Sequence, residues 1–173
     1  MASALLVIDV QEGMQPLTAH DGAGVVARIA SLLARAREAN ANIVYVQHDG
    51  SAEPGNPLAR GTPGHAIYRA IAPRSGEPVI VKRYCSAFRD TELDTLLKYM
   101  RVEELIVCGM QTEYCVDTTV RAAADRGYSV TLVADAHSTG DTASLKAAAI
   151  IAHHNATLAG DFAVLKRADE VEF

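Results

Sequence analysis

The 173-residue sequence contains no tryptophan, three phenylalanines and three cysteines. So few large aromatics exclude an aromatic-rich platform of the kind on which nucleic-acid bases stack. The cysteines, Cys85, Cys108 and Cys115, are odd in number and form no C-x-x-C pair, which reads as reduced thiols rather than a disulfide framework. No apolar run approaches the roughly 18 residues that a membrane-spanning helix needs. No basic segment precedes Leu5-Leu6-Val7-Ile8 and no cleavage-site pattern follows it, so the expected location is cytoplasmic. Basic clusters are missing too, and with a net charge of −5 neither nucleic acid nor an anionic membrane is an expected partner. What remains is 49% hydrophobic and 21% charged, the balance of a globular chain. There is no repeat, low-complexity tract or linker, and the length suits one domain over residues 1–173.

Short apolar runs alternate with helix-period segments. Leu5 to Ile8 reads as a first strand, followed by Val25, Val26, Ile29, Leu32, Leu33 and Ala36 along one helical face. Ile43 to Val46 is a second strand, and Val79-Ile80-Val81, closed by Lys82, a third. The segment 48–78 between them is rich in glycine and proline, and so long a connection is usually functional. Leu93, Leu96, Leu97 and Met100 mark another helix, and Leu105 to Gly109 a fourth strand. A helix from about Thr112 to Arg126 follows, ended by Gly127 in the position that a C′ glycine favours. Ser129 to Ala134 is a fifth strand, Ala143 to His153 a last helix, and a short sixth strand is expected near Thr157. The strands are continuously apolar, as in an α/β fold whose parallel sheet is covered on both faces.

Ligands of such a sheet bind beyond the carboxyl ends of its strands. Asp9 closes the first strand, Lys82 closes the third, and Cys115 lies just past the fourth. Alone, Asp9 reads as a loop-bracing carboxylate, and Lys82, beside Arg83, as a side chain extending its ammonium to water. Cys115 has two readings: a small buried hydrophobe, as Cys108 is, or a nucleophile. With Thr112 as N-cap, Cys115 falls at N3. There the helix dipole and free N–H groups favour a thiolate and can hold an oxyanion. Taken together the three residues describe a reaction. A thiolate attacks a carbonyl, the aspartate moves protons, and the lysine holds the aspartate and balances negative charge.

The strings LLVIDVQEGM, VKRYCSAF and LIVCGMQTEYCVDTTVRAAADRGYSVTLVADAHST resemble, in order and spacing, the isochorismatase-like cysteine hydrolases. The resemblance spans nearly the whole chain, and the third string is its most specific part. It implies a three-layer α/β/α, Rossmann-like fold with sheet order 3-2-1-4-5-6, and a triad of Asp9, Lys82 and Cys115. It also implies a cis peptide at Met110–Gln111, an oxyanion hole from the Gln111 and Cys115 N–H groups, and a pocket lined by Gln11 and Phe88. The implied activity is hydrolysis of a C–N bond in a small amide, ureide or lactam, without a cofactor, by a homo-oligomer, dimer or tetramer.

Nicotinamidases of this superfamily carry an Asp-x-His metal motif after the second strand. Here His48 stands at the aspartate position and Gly50 at the histidine position, so that site is not rebuilt and no metal is expected, although His48, Asp49 and His65 have ligand chemistry. The segment is most similar to the metal-free subgroup that holds the streptothricin hydrolases. Isochorismatases that cleave a vinyl ether lack the cysteine, so Cys115 favours C–N cleavage. The alternatives are an idle binding protein on this fold and a thiol-redox protein in which Cys85 resolves an oxidised Cys115. Glu113 and Tyr114 suit helix electrostatics or a subunit contact. Asp135 and His137 read as loop braces, and His153-His154-Asn155 as a helix end where positive charge is favourable.

Overall fold

The computed structural model describes residues 2–173. The strands are β1 (Ala2–Ile8), β2 (Asn42–His48), β3 (Val79–Lys82), β4 (Val102–Met110), β5 (Ser129–Ser138) and β6 (Val164–Lys166). They form one sheet in the order β3-β2-β1-β4-β5-β6, with every neighbouring pair parallel. The helices are α1 (Gly22–Glu38), α2 (Leu93–Tyr99), α3 (Asp117–Ala124) and α4 (Ala147–Leu158). Among the described residues no helix is long and apolar enough to cross a membrane.

Side-chain alternation along β1 divides the core. Leu5 and Val7 pack with Val25, Ile29 and Leu32 of α1, while Leu6 and Ile8 pack with Leu93 and Leu97 of α2 and Val120 of α3. Because successive strand residues face opposite ways, a strand covered on both sides must be apolar at every position. That is why β1 reads as an unbroken run.

The carboxyl-terminal third departs from the expected boundaries. The sixth strand is Val164–Lys166, and Thr157 lies inside α4. The last helix starts at Ala147, where the Asp141 carboxylate accepts the Ala147 N–H at 2.9 Å. It then runs past His153-His154-Asn155 to Leu158, because no glycine interrupts the chain before Gly160. The histidines therefore do not sit at a helix end. His154 Nδ1 donates to the Ile150 carbonyl one turn back, and Asn155 Nδ2 donates to the Ala134 carbonyl of β5.

The helix expected from Thr112 begins instead as a π-helical turn, Thr112–Val116, and becomes α-helical only at Asp117. Thr112 is not its N-cap: Gln111 occupies that position, without a side-chain cap, and the Thr112 hydroxyl lies 2.9 Å from His137 Nδ1. The buried imidazole competes for the hydroxyl that a cap would use. The cis peptide is at Met110–Gln111.

Gly109 has a physical reason to be glycine. Its φ is 127°, and a Cβ there would fall on the Ile8 carbonyl oxygen, its partner in the β1–β4 pairing. Gly109→Ala should therefore cost roughly 2–4 kcal/mol of folding stability, measured by denaturant unfolding. Wild-type stability in that variant would show that β1 and β4 do not need this close approach.

Candidate active site

Asp9 follows β1 directly with φ 50°, and its N–H donates to the Val46 carbonyl at 3.0 Å. That turn sets its carboxylate above the sheet rim beside β2. Lys82 ends β3, an edge strand whose valines 79 and 81 are more than a third exposed while the Lys82 side chain is 0% exposed. Period-two alternation puts Ile80 and Lys82 on the same inward face, so the lysine does not extend to water. Cys115 comes from the turn after β4. The three residues converge. Lys82 Nζ is 2.5 Å from Asp9 Oδ2 and 3.2 Å from Cys115 Sγ, and the third neighbour of the ammonium is His48 Nδ1 at 3.3 Å.

An ammonium has three donors and no acceptor, and this one faces three acceptors. Burial works against the Lys82 charge, but Asp9 and then Cys115 outweigh it and hold its pKa above the ordinary value. Asp9 is raised by burial, only partly offset by Lys82. Cys115 is raised as well, by burial first and then by the Asp9 charge, against the pull of Lys82. The resting cysteine is thus a thiol, and the thiolate expected from an N3 position is not its ground state. Burial and then the facing Asp9 carboxylate account for this, and Cys115 sits in a wide turn ahead of α3 rather than in an α-helical first turn. Burial, then Lys82, lowers His48 below its usual range. His48 is neutral, with Nδ1 as acceptor and the proton on Nε2.

A cavity of about 730 Å³ opens over this cluster, and Asp9, His48, Gln111 and Cys115 are on its wall. The resemblance names Gln11 and Phe88 as pocket residues, and the structure puts both elsewhere. Gln11 is 0% exposed, and its carboxamide is spent on the backbone of His48 and of His65. It fastens the long loop to the end of β2. Phe88 packs on Tyr128 with ring centroids 6.0 Å apart, under the Arg126 guanidinium. The wall is made instead by Met14, Leu58, Arg83, Tyr84, Arg89 and Tyr114, with Glu53, Cys85, Ser86 and Thr118. No periodicity marks these residues, since all but Thr118 of α3 come from loops and turns.

His48, Asp49 and His65 do not gather into a metal-binding group among the described residues. Asp49 accepts from the Ser51 hydroxyl and N–H, which hold its pKa down at about 2, and it faces the guanidinium groups of Arg60 and Arg83 at 3.7 Å. His65 lies against Gln47. Asp135 does brace a loop, accepting the Ala168 N–H at 2.8 Å. His137 braces the turn that carries Cys115. Its Nε2 meets Asn155 Oδ1 at 2.8 Å while Nδ1 meets Thr112. Glu113 accepts from the Thr139 hydroxyl, and Tyr114 is 53% exposed.

The sequence matches the isochorismatase domain family over residues 3–159. It is 42% identical over 142 residues to a streptothricin hydrolase of Streptomyces noursei, covering 80% of this chain and 50% of that protein. It therefore spans about half the length of that relative. It is 29% identical over 179 residues to a ureidoacrylate amidohydrolase of Methylorubrum extorquens, covering 82% and 72%. A cysteine hydrolase of Pseudomonas syringae pv. phaseolicola has the same fold, with a TM-score of 0.90 at 29% identity over 97% of this chain and 89% of that one.

Replacing Lys82 by methionine would leave the Asp9 carboxylate buried without its counter-charge. Near neutral pH, Lys82→Met should cost about 3–5 kcal/mol. The loss should shrink as pH falls, because folded Asp9 then takes up a proton well above the unfolded value of about 3.9. Asp9→Asn in the same chain should restore much of the stability. Thermal melts from neutral to acid pH test this, and a Lys82→Met deficit that is the same at every pH would contradict it.

Proposed function

Because the chain belongs to the isochorismatase family, we propose that it hydrolyses a C–N bond of a small amide, ureide or lactam through a thioester on Cys115. The observation that carries this reading is the single ammonium set between a carboxylate and a thiol on the wall of a cavity of small-molecule size. Its relatives include a named amidohydrolase and a named cysteine hydrolase.

The proton inventory suits the chemistry. As Sγ bonds to the carbonyl carbon, its proton passes to Asp9, so Lys82 always faces one negative charge and never two. The carbonyl oxygen becomes an oxyanion, for which the Gln111 and Cys115 N–H groups are the proposed donors. Collapse of the tetrahedral intermediate breaks the C–N bond, and Asp9 returns the proton to the leaving nitrogen. Asp9 then takes a proton from water as its oxygen attacks the thioester. The acid leaves, and the proton goes back to sulfur. Lys82 stays an ammonium throughout. The same reading carries a dimer or tetramer, for whose contacts Tyr99, Leu145 and Val164 are exposed.

A screen of small amides, ureides and lactams for released ammonia or amine is the direct test. At least one compound should turn over, and Cys115→Ala should abolish that turnover with an unchanged melting temperature. Turnover that survives in Cys115→Ala would overturn the cysteine mechanism. An intact, folded enzyme idle on the whole panel would favour a binding protein on this fold.

A further inference from the structure

Among the wall residues that the mechanism does not use, His48 is the one in contact with the Lys82 ammonium. His48 ends β2, where its backbone N–H and carbonyl are both held by the Gln11 carboxamide, at 2.8 and 3.0 Å. Its Nδ1 lies 3.3 Å from Lys82 Nζ. An ammonium offers only donors, so a nitrogen in that position is an acceptor and the imidazole proton sits on Nε2. That Nε2 bonds to no protein group among the described residues, and His48 forms part of the cavity wall. A tautomer set by the ammonium, a held backbone and an Nε2–H that no protein group takes make a donor available to a ligand in the cavity.

We infer that His48 is a substrate-binding residue, offering its Nε2–H to an acceptor oxygen or nitrogen that flanks the bond to be cleaved. The inference rests on the hydrolase reading and sharpens it. The preferred substrates are amides with a second acceptor close to the scissile carbonyl, as in an imide or ureide, rather than simple alkyl amides. It also explains why a divalent metal does not suit this position. A ligating Nε2 would need its lone pair, the proton would move to Nδ1, and that N–H would then face the Lys82 ammonium, donor against donor.

Two substitutions divide the ring's two nitrogens. His48→Asn keeps an acceptor where Nδ1 meets Lys82 and loses the far N–H. His48→Gln keeps an N–H at the reach of Nε2 and loses the near acceptor. Alkylation of Cys115 is the readout, in a Cys85→Ser background because exposed Cys85 shares the wall. The reagents are iodoacetamide, which carries an amide carbonyl, and allyl bromide, which carries no acceptor. The ratio of the two rates should fall about fivefold in His48→Asn, the loss of one neutral hydrogen bond, and be retained in His48→Gln. A ratio that is unchanged in both variants, or that falls in His48→Gln, overturns the inference. Imidazole ¹⁵N NMR of the unmodified site should show Nε2 protonated and Nδ1 bare near neutral pH. A bare Nε2 or an imidazolium overturns the inference on its own. A Cys115 inert to both reagents overturns the hydrolase reading instead.

Discussion

One buried ammonium serves two acids, and the rest of the site follows from that ratio. Lys82 is sealed from water between Asp9 and Cys115, where any uncompensated charge is costly. Carboxylate, ammonium and thiol sum to zero charge. Carboxylic acid, ammonium and thiolate also sum to zero. A proton can therefore cross from sulfur to Asp9 without changing the net charge of the buried cluster, whereas losing it to solvent would leave two anions on one cation. This is why burial raises both acids, with the Asp9 charge raising Cys115 further, and why the proposed reaction needs no histidine base.

The fold supplies the convergence. β1, β3 and β4 are parallel, so their carboxyl ends share one rim, and each delivers one member of the cluster directly or through the next turn. Two features hold that rim. Gly109 lets β4 approach Ile8 closely. The His137–Asn155 pair reaches from β5 and α4 to Thr112, at the start of the turn that carries Cys115. The long segment after β2 is pinned by Gln11 and by the ionised Asp49, so it closes the cavity as a shaped wall.

How much of this the sequence displayed depends on what sets each feature. Strands and the Asp9, Lys82 and Cys115 positions are legible because a doubly covered strand must be apolar throughout, and polar residues that end such runs stand out. The wide turn at Thr112–Val116 is not legible, since it depends on His137 taking the Thr112 hydroxyl from 25 residues away. Lys82 alone reads as a residue bound for water because it ends an apolar run beside Arg83, but the structure turns Val79 and Val81 of this edge strand outward and Lys82 inward. The resemblance puts Gln11 and Phe88 in the pocket, but the Gln11 carboxamide fastens the backbone of His48 and His65 and Phe88 packs on Tyr128, contacts that no local pattern in the sequence shows. A local helix argument favours a Cys115 thiolate, but burial, and then the charge of Asp9, raise its pKa, and only the tertiary fold supplies both.

The decisive measurement is the thiolate absorbance of Cys115 against pH, in Cys85→Ser and in Cys85→Ser with Asp9→Asn. Both chains also carry Cys108→Ala, because burial pushes the Cys108 thiol up to about 12, into the range where a raised Cys115 titrates. If one ammonium is shared between two acids, removing the Asp9 charge leaves Lys82 to the sulfur alone, and the Cys115 pKa should drop by at least about one unit even as turnover is lost. A Cys115 that titrates at the same pH or higher without Asp9 would contradict the account.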